Sequence, residues 1–150
     1  MSRVVILDSG PVWYICGPKG RTATRDAQRW LSGLVRAGVR VILPEIIDYE
    51  VRRDLIRRRA VERLGLLDSL GVTIEYLPIT TGAIRRAAEV WAVARQTGQP
   101  TAGDDTIDAD MILIGQARSL QLSDSIIATT NVRHLARFFP ADIWSAISPA

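Results

Sequence analysis

Ile107-Asp-Ala-Asp-Met-Ile-Leu-Ile-Gly-Gln-Ala117 sets two carboxylates at the head of a nearly all-apolar run. Apolar residues with no alternation over that length predict a buried helix. Its first turn carries unpaired backbone N–H groups and the positive end of the helix dipole, which together favour an ionised carboxylate. At helical spacing Asp110 shares a stripe with Leu113, Ile114, Ala117 and Leu120, whereas Asp108 lies about 200° round the helix. A charge heading a buried stripe is costly unless a metal ion, a basic side chain or water in a cleft compensates it.

The segments on either side of this helix read as loop and strand. Upstream, Gln99 to Thr106 holds Pro100, Gly103, Asp104 and Asp105 and reads as a loop. Downstream, Ser125-Ile-Ile-Ala-Thr129 has the pattern of a short strand buried on both faces, with Thr130 and Asn131 at its C-terminal end. A helical turn is expected within Val132 to Phe139, then a final strand around Ile143 to Ile147.

At the other end of the chain, Val4-Val-Ile-Leu7 repeats the buried-strand pattern and stops at Asp8-Ser-Gly-Pro11. Asp8 therefore sits at a strand tip, where an Asx turn at Gly10 is its plainest role. Thr22 or Thr24 is expected to cap a helix running to Ala37 and closed by Gly38. Val39 to Leu43 is the next buried strand, and Pro44 opens a helix whose inward face carries Ile46, Ile47, Val51 and Leu55. Glu50 falls on that same side, three and four residues after Ile47 and Ile46. The outward face is crowded with Arg52, Arg53, Arg57, Arg58 and Arg59. A short amphipathic helix to Gly71, an edge strand from Val72 to Tyr76, and a helix capped by Thr80 or Thr81 and stopped near Gly98 complete the chain.

Strands alternating with helices at these lengths predict an α/β class fold, a three-layer α/β/α sandwich on a mostly parallel sheet. With 150 residues and 47% hydrophobic content, a single domain spanning 1–150 is expected. No apolar run approaches the roughly 20 residues that span a bilayer, and no signal peptide is read before Val4. Cys16 is the lone cysteine, which excludes an intramolecular disulfide, fits a reducing cytoplasm and reads as a small buried hydrophobe. Net charge is +3, and Lys19 is the only lysine. Arginine's fork of donors suits phosphate, so the composition permits a nucleic-acid partner without demanding one.

Ligands in such sheets bind beyond the carboxyl ends of the strands, where strand order reverses. Asp8 and Asn131 fall at such ends, and Glu50 and Asp110 lie near the N-termini of helices at the same edge. Three carboxylates and a carboxamide without a balancing lysine repel one another, so a hard divalent cation is their natural occupant. Oxygen donors favour Mg²⁺ or Mn²⁺ over Zn²⁺, because only His134 and Cys16 offer softer atoms. Such a site can activate water against a phosphodiester.

The order Val-Ile-Leu-Asp8, then Pro44 with Glu50 six residues on, then Asp110-Met-Ile-Leu-Ile-Gly-Gln-Ala, then Thr129-Thr-Asn131-Val-Arg-His resembles the PIN-domain nucleases, and most closely the VapC-like toxins of prokaryotic toxin–antitoxin pairs. The likeness runs from about Val4 to Phe139. It implies a three-layer α/β/α fold, Mg²⁺ or Mn²⁺ held by the acidic quartet, and endoribonuclease activity on structured RNA such as tRNA. It also implies a homodimer and a small cognate antitoxin.

In that resemblance Asp8, Glu50 and Asp110 match the three acids that hold metal and orient the attacking water. Asn131 fills the fourth position with a neutral oxygen, which weakens any second ion. Asp108 is a further contender for the metal shell, its plain alternative being an N-cap. Ser9 and Thr129 look like hydroxyl supports, and Leu135 stands where many relatives have phenylalanine. Glu50 has a rival role in a surface ion pair with Arg53 or Arg57, and His134 reads as a surface or packing histidine ahead of a general base. A non-catalytic RNA- or partner-binding module on the same scaffold is the alternative function. A phospho-accepting receiver domain is disfavoured, since it needs a lysine late in the chain.

Overall fold

The computed structural model describes residues 3–97 and 107–149. Its centre is a five-stranded, wholly parallel sheet in the order β3-β2-β1-β4-β5, with helices on both sides. The strands are β1 Val4–Leu7, β2 Arg40–Pro44, β3 Glu75–Leu77, β4 Ser125–Thr129 and β5 Ala141–Ile143. Every residue of β1 is buried, as its β-branched run requires of a strand covered on both faces. Leu7 pairs with Ala128 in register, so Asp8 and Thr129 emerge side by side from the sheet's carboxyl edge. Strand order reverses at β1, between β2 on one side and β4 on the other. The crevice there is the position at which parallel α/β sheets bind ligands.

The first connection differs from its expected form. Ser9-Gly-Pro11 does not make a turn; it is the first turn of helix α1, Ser9–Ile15, and Asp8 is its N-cap. Proline is tolerated there because first-turn N–H groups have no intrahelical partner to lose. Helix α2, Thr22–Arg36, starts without a side-chain cap, its N-cap residue being Arg21. Thr24 is instead buried. Gly38, at φ +78°, takes the left-handed turn that closes the helix.

Helix α3, Glu45–Arg57, buries Ile46, Ile47, Val51 and Leu55 on the stripe that the periodicity predicts. Helix α4, Val61–Thr73, runs past Gly71, and Val72 is 86% exposed on it rather than sitting in a strand. The Thr73 hydroxyl donates to the Ser69 carbonyl one turn back, and the edge strand begins only at Glu75. Bidentate hydrogen bonds from Arg40 to Glu75 tie β2 to that edge.

Helix α5, Thr81–Gln96, is capped by the Thr80 hydroxyl, which accepts from the Ala83 N–H. Helix α6, Ile107–Ser119, packs against it more extensively than any other pair of elements. Gly115 permits that approach: a Cβ there would stand 2.3 Å from the Ala83 carbonyl oxygen. Gly98 and the predicted loop from Gln99 to Thr106 lie outside the described residues.

Helix α7, Val132–Leu135, supplies the expected turn after β4, and Leu135 is buried. The last strand forms two residues earlier than its hydrophobicity suggests. Trp144–Ala146 then makes a 3-10 turn in which Trp144 packs edge-on against Trp30 at 5.4 Å. The Trp30 indole N–H donates to the Ile147 carbonyl, and this bond draws the segment off the sheet. No helix among the described residues is long and apolar enough to cross a membrane.

Candidate functional site

Asp8 is fixed by its neighbours. Its Oδ1 accepts from the Ser9 N–H at 2.7 Å, and its Oδ2 accepts from the Thr129 hydroxyl at 2.7 Å. Thr129 is wholly buried and its oxygen also accepts the Asn131 N–H at 3.0 Å. One hydroxyl therefore links the tips of β1 and β4 to the start of α7. Gly10 lets α1 lie against this tip, because a Cβ there would meet the Thr130 side chain at 2.5 Å. Burial raises the Asp8 carboxyl above its ordinary value, and the hydrogen bonds from Thr129 and Ser9 offset part of that rise.

Glu50 sits on α3 with its carboxyl pushed up to about 7, by burial first and then by the charges of Asp8 and Asp110. Asp110, in the first turn of α6, is pushed up to about 6 by burial and by Asp8. The three carboxylates, remote in sequence, thus share one electrostatic environment. The rival ion pair of Glu50 does not form. Arg57 is engaged with Asp54, and Arg53 lies over the Tyr49 ring at 5.1 Å, although its charge still eases Glu50.

His134 Nδ1 lies 3.7 Å from Asp110 Oδ2, too long for a hydrogen bond but close enough for an imidazolium to favour the carboxylate. Sequence reading set this histidine down as a surface or packing residue ahead of a general base, and its position three residues after Asn131 on α7 is the sequence signal that brings it to the site. Asn131 is exposed at the tip of β4, with its backbone N–H committed to Thr129. Asp108 is exposed on another side of α6, where it lines a small groove with Ile84 and Trp91 of α5. It is not among the charges acting on Glu50 or Asp110.

Gln116 is a residue that sequence reading passed over. It is wholly buried in α6. Its amide oxygen accepts from the Ile46 N–H at 3.2 Å, and its amide nitrogen donates to the Leu77 carbonyl at 2.8 Å. One side chain thereby joins the helix of Asp110 to the first turn of the helix of Glu50 and to the end of β3. A lone glutamine among apolar residues is the only sequence signal for it.

The donor chemistry suits a hard cation. Asp8 raises the proton affinity of Glu50 and Asp110, Asp110 raises that of Glu50, and Arg53 offsets only part of the rise at Glu50. Among the described residues, no three acid, histidine or cysteine side chains gather tightly enough to close a metal shell by themselves. An ion held here would take one or two of these carboxylates directly and fill its other positions with water, as Mg²⁺ commonly does.

Beside Glu50 an open cleft of about 640 Å³ runs between α1 and α3, past Ser9, Gly10, Trp13, Tyr14, Arg53 and Arg57. Cys16, at the C-cap of α1, is buried, and that burial pushes its thiol up to about 12. It is a packing group, as its lone occurrence predicts.

Compared by sequence alone, the chain matches no family model and no curated protein. Its fold is nevertheless shared with solved structures over nearly the full length of both partners. VapBC2 of Rickettsia felis, solved with a DNA fragment from its promoter, superposes at a TM-score of 0.71 with 13% identity, over 94% of this chain and 98% of that one. VapBC-1 of nontypeable Haemophilus influenzae gives 0.69 with 17% identity, over 95% and 98%. VapC20 of Mycobacterium tuberculosis, described as a sarcin–ricin-loop-cleaving toxin, gives 0.64 with 14% identity, over 90% and 95%. The all-parallel sheet and its flanking helices are those of the PIN-like fold of the VapC toxins.

Proposed function

We propose that this chain is a metal-dependent endoribonuclease that hydrolyses RNA phosphodiester bonds, and that it is the toxin of a toxin–antitoxin pair. The observation that carries this reading is the electrostatic coupling of Asp8, Glu50 and Asp110 beside the point where strand order reverses. Carboxylates that repel one another in a cleft await positive charge, and a hard cation is the charge that oxygen donors prefer. Bound Mg²⁺ or Mn²⁺ would lower the pKa of water and stabilise charge on a phosphate oxygen.

The side chains supply orientation. Asp8, pinned by Ser9 and Thr129, offers a fixed carboxylate, and Glu50 and Asp110 would hold the ion and align water from the facing helices. Asn131 contributes a neutral oxygen. Water oxygen bonds to phosphorus as the bond to the 3′ oxygen breaks. One water proton ends on that oxygen, leaving 5′-phosphate and 3′-hydroxyl ends.

The reading takes residues 1–150 as one domain acting in the cytoplasm as a homodimer on tRNA or another structured RNA. A small cognate antitoxin restrains it. Support comes from the fold shared with VapBC2 and with VapC20. Asp110→Ala is the direct test: RNA cleavage in Mn²⁺ is expected to vanish while the circular dichroism spectrum is retained. Cleavage at the parental rate would overturn the mechanism. The neutral Asn131 at the tip of β4 favours a second reading, a binding module that holds RNA without cutting it. Tight RNA binding in EDTA with no turnover in Mn²⁺ would select that one.

A further inference from the structure

We propose that the cleft between α1 and α3 is a subsite for one unpaired nucleotide beside the cut, with Tyr14 stacking on its base and Arg53 and Arg57 holding the flanking phosphates. The identity of the occupant rests on the ribonuclease reading; the shape and chemistry of the subsite do not. At about 640 Å³ the cleft falls within the roughly 300–1,000 Å³ of ligand sites, and Glu50 forms part of its wall. A strand bound at the acid cluster therefore has a continuous path into it.

The two aromatic residues of this wall differ in availability. The Trp13 ring is covered by Arg63 at 4.2 Å and Arg58 at 5.2 Å, and Arg63 is held there by the Cys16 and Trp13 carbonyls. Tyr14 is 37% exposed, and its ring is braced by Trp144 at 6.2 Å. A braced, exposed ring loses little freedom when a base stacks on it.

Glu50, Arg53 and Arg57 follow one another at i, i+3 and i+7 and so share a face of α3. Arg53 and Arg57 are about 6 Å apart along the axis, on the scale of one step along an extended strand. Arg57 is oriented by Asp54, and Arg53 by the Tyr49 ring. Asp54 also lines the cleft and pairs with both Arg57 and Arg58, but Arg53, Arg57, Arg58 and Arg63 together outnumber Glu50 and Asp54, which leaves the rim positive and complementary to a phosphate backbone. Stacking of this kind requires a base free of its pairing partner, so the subsite selects unpaired RNA over duplex.

The test measures binding in EDTA of a short unstructured oligoribonucleotide and of its blunt duplex, with turnover of the unpaired RNA in Mn²⁺ measured alongside. Tyr14→Ala is expected to weaken binding of the unpaired RNA about tenfold and to leave the duplex unchanged, while Tyr14→Phe binds as the parent does. Arg57→Ala is expected to lower the salt dependence of binding by about 0.7 of a logarithmic slope unit. A folded Tyr14→Ala protein that keeps the parental preference for unpaired RNA overturns the subsite, whatever the turnover. Tyr14-dependent binding in a parent that does not cleave upholds the subsite and overturns the nuclease reading instead.

Discussion

The Thr129 hydroxyl donates to Asp8 Oδ2 across 2.7 Å and accepts the Asn131 N–H at 3.0 Å, joining residues 121 positions apart in the chain at the tips of adjacent strands. Thr129→Val keeps the shape of the side chain and removes both bonds. Stability should fall by about 1–3 kcal/mol, the cost of leaving buried polar groups unpaired. RNA cleavage should fall about 10–100-fold, as when the partner of a metal ligand is lost. Thr129→Ser should recover most of the rate. Initial rates in Mn²⁺ beside thermal melts check this, and a Thr129→Val enzyme of parental rate removes the orienting role.

Glu50 makes the folded protein sensitive to pH. Its carboxyl stands at about 7 in the fold against an ordinary 4.5, so between those values the folded chain binds more protons than the unfolded one. This contribution to stability is complete below 4.5 and is lost as pH rises through 7. In EDTA, Glu50→Gln should therefore flatten the decline in melting temperature across that window. A divalent cation should restore the parent at pH 8 more than at pH 5.5, because protons compete with it for the carboxylates. Melts of both proteins with and without Mn²⁺ measure the effect. Equal cation responses at the two pH values would argue against an ion among these acids.

Periodicity revealed the elements whose surroundings are uniform. Val4–Leu7 and Ser125–Thr129 are covered on both faces and read as unbroken apolar runs, and the α3 stripe follows helical spacing to the residue. The errors fall where local chemistry admits two outcomes. Gly10 and Pro11 are turn formers that also fit the first turn of a helix, and Gly71 is a helix stop that α4 passes through. Glu50 and Asp110 were conspicuous as acids on apolar stripes, and Asp8 as an acid at the tip of a buried strand. His134 and Gln116 were not, since their partners Asp110, Ile46 and Leu77 are joined to them only by folding.

Cys16 carries no chemistry in this reading. A buried thiol pushed up to about 12 is almost wholly protonated at pH 8, and the thiolate is the form that reacts. Iodoacetamide at pH 8 should leave the native protein unmodified over times that fully label it in denaturant. Mass spectrometry distinguishes the two, and rapid native labelling would show that the α1 end opens to solvent.

Gln116 can be tested in a way that separates position from bulk. Gln116→Leu keeps the volume but leaves the Ile46 N–H and the Leu77 carbonyl without partners, at about 1–3 kcal/mol for each group. Gln116→Glu is the more informative change. As a neutral acid it can still accept from Ile46 and donate to Leu77, whereas its carboxylate cannot donate and is buried without a counter-charge. Burial should raise the folded pKa of this new group above the roughly 4.3 of an exposed glutamate. Its folded form is then near parental in stability below that value and weakens as pH rises through the raised pKa. Melting temperatures should lie close to those of the parent at pH 4.5 and fall well below at pH 8, by about 2–4 °C for each kcal/mol lost. Because Ile46 opens the helix that carries Glu50, cleavage should fall over the same pH range. A Gln116→Glu protein with parental melting at both pH values would mean that the amide does not join α6 to α3.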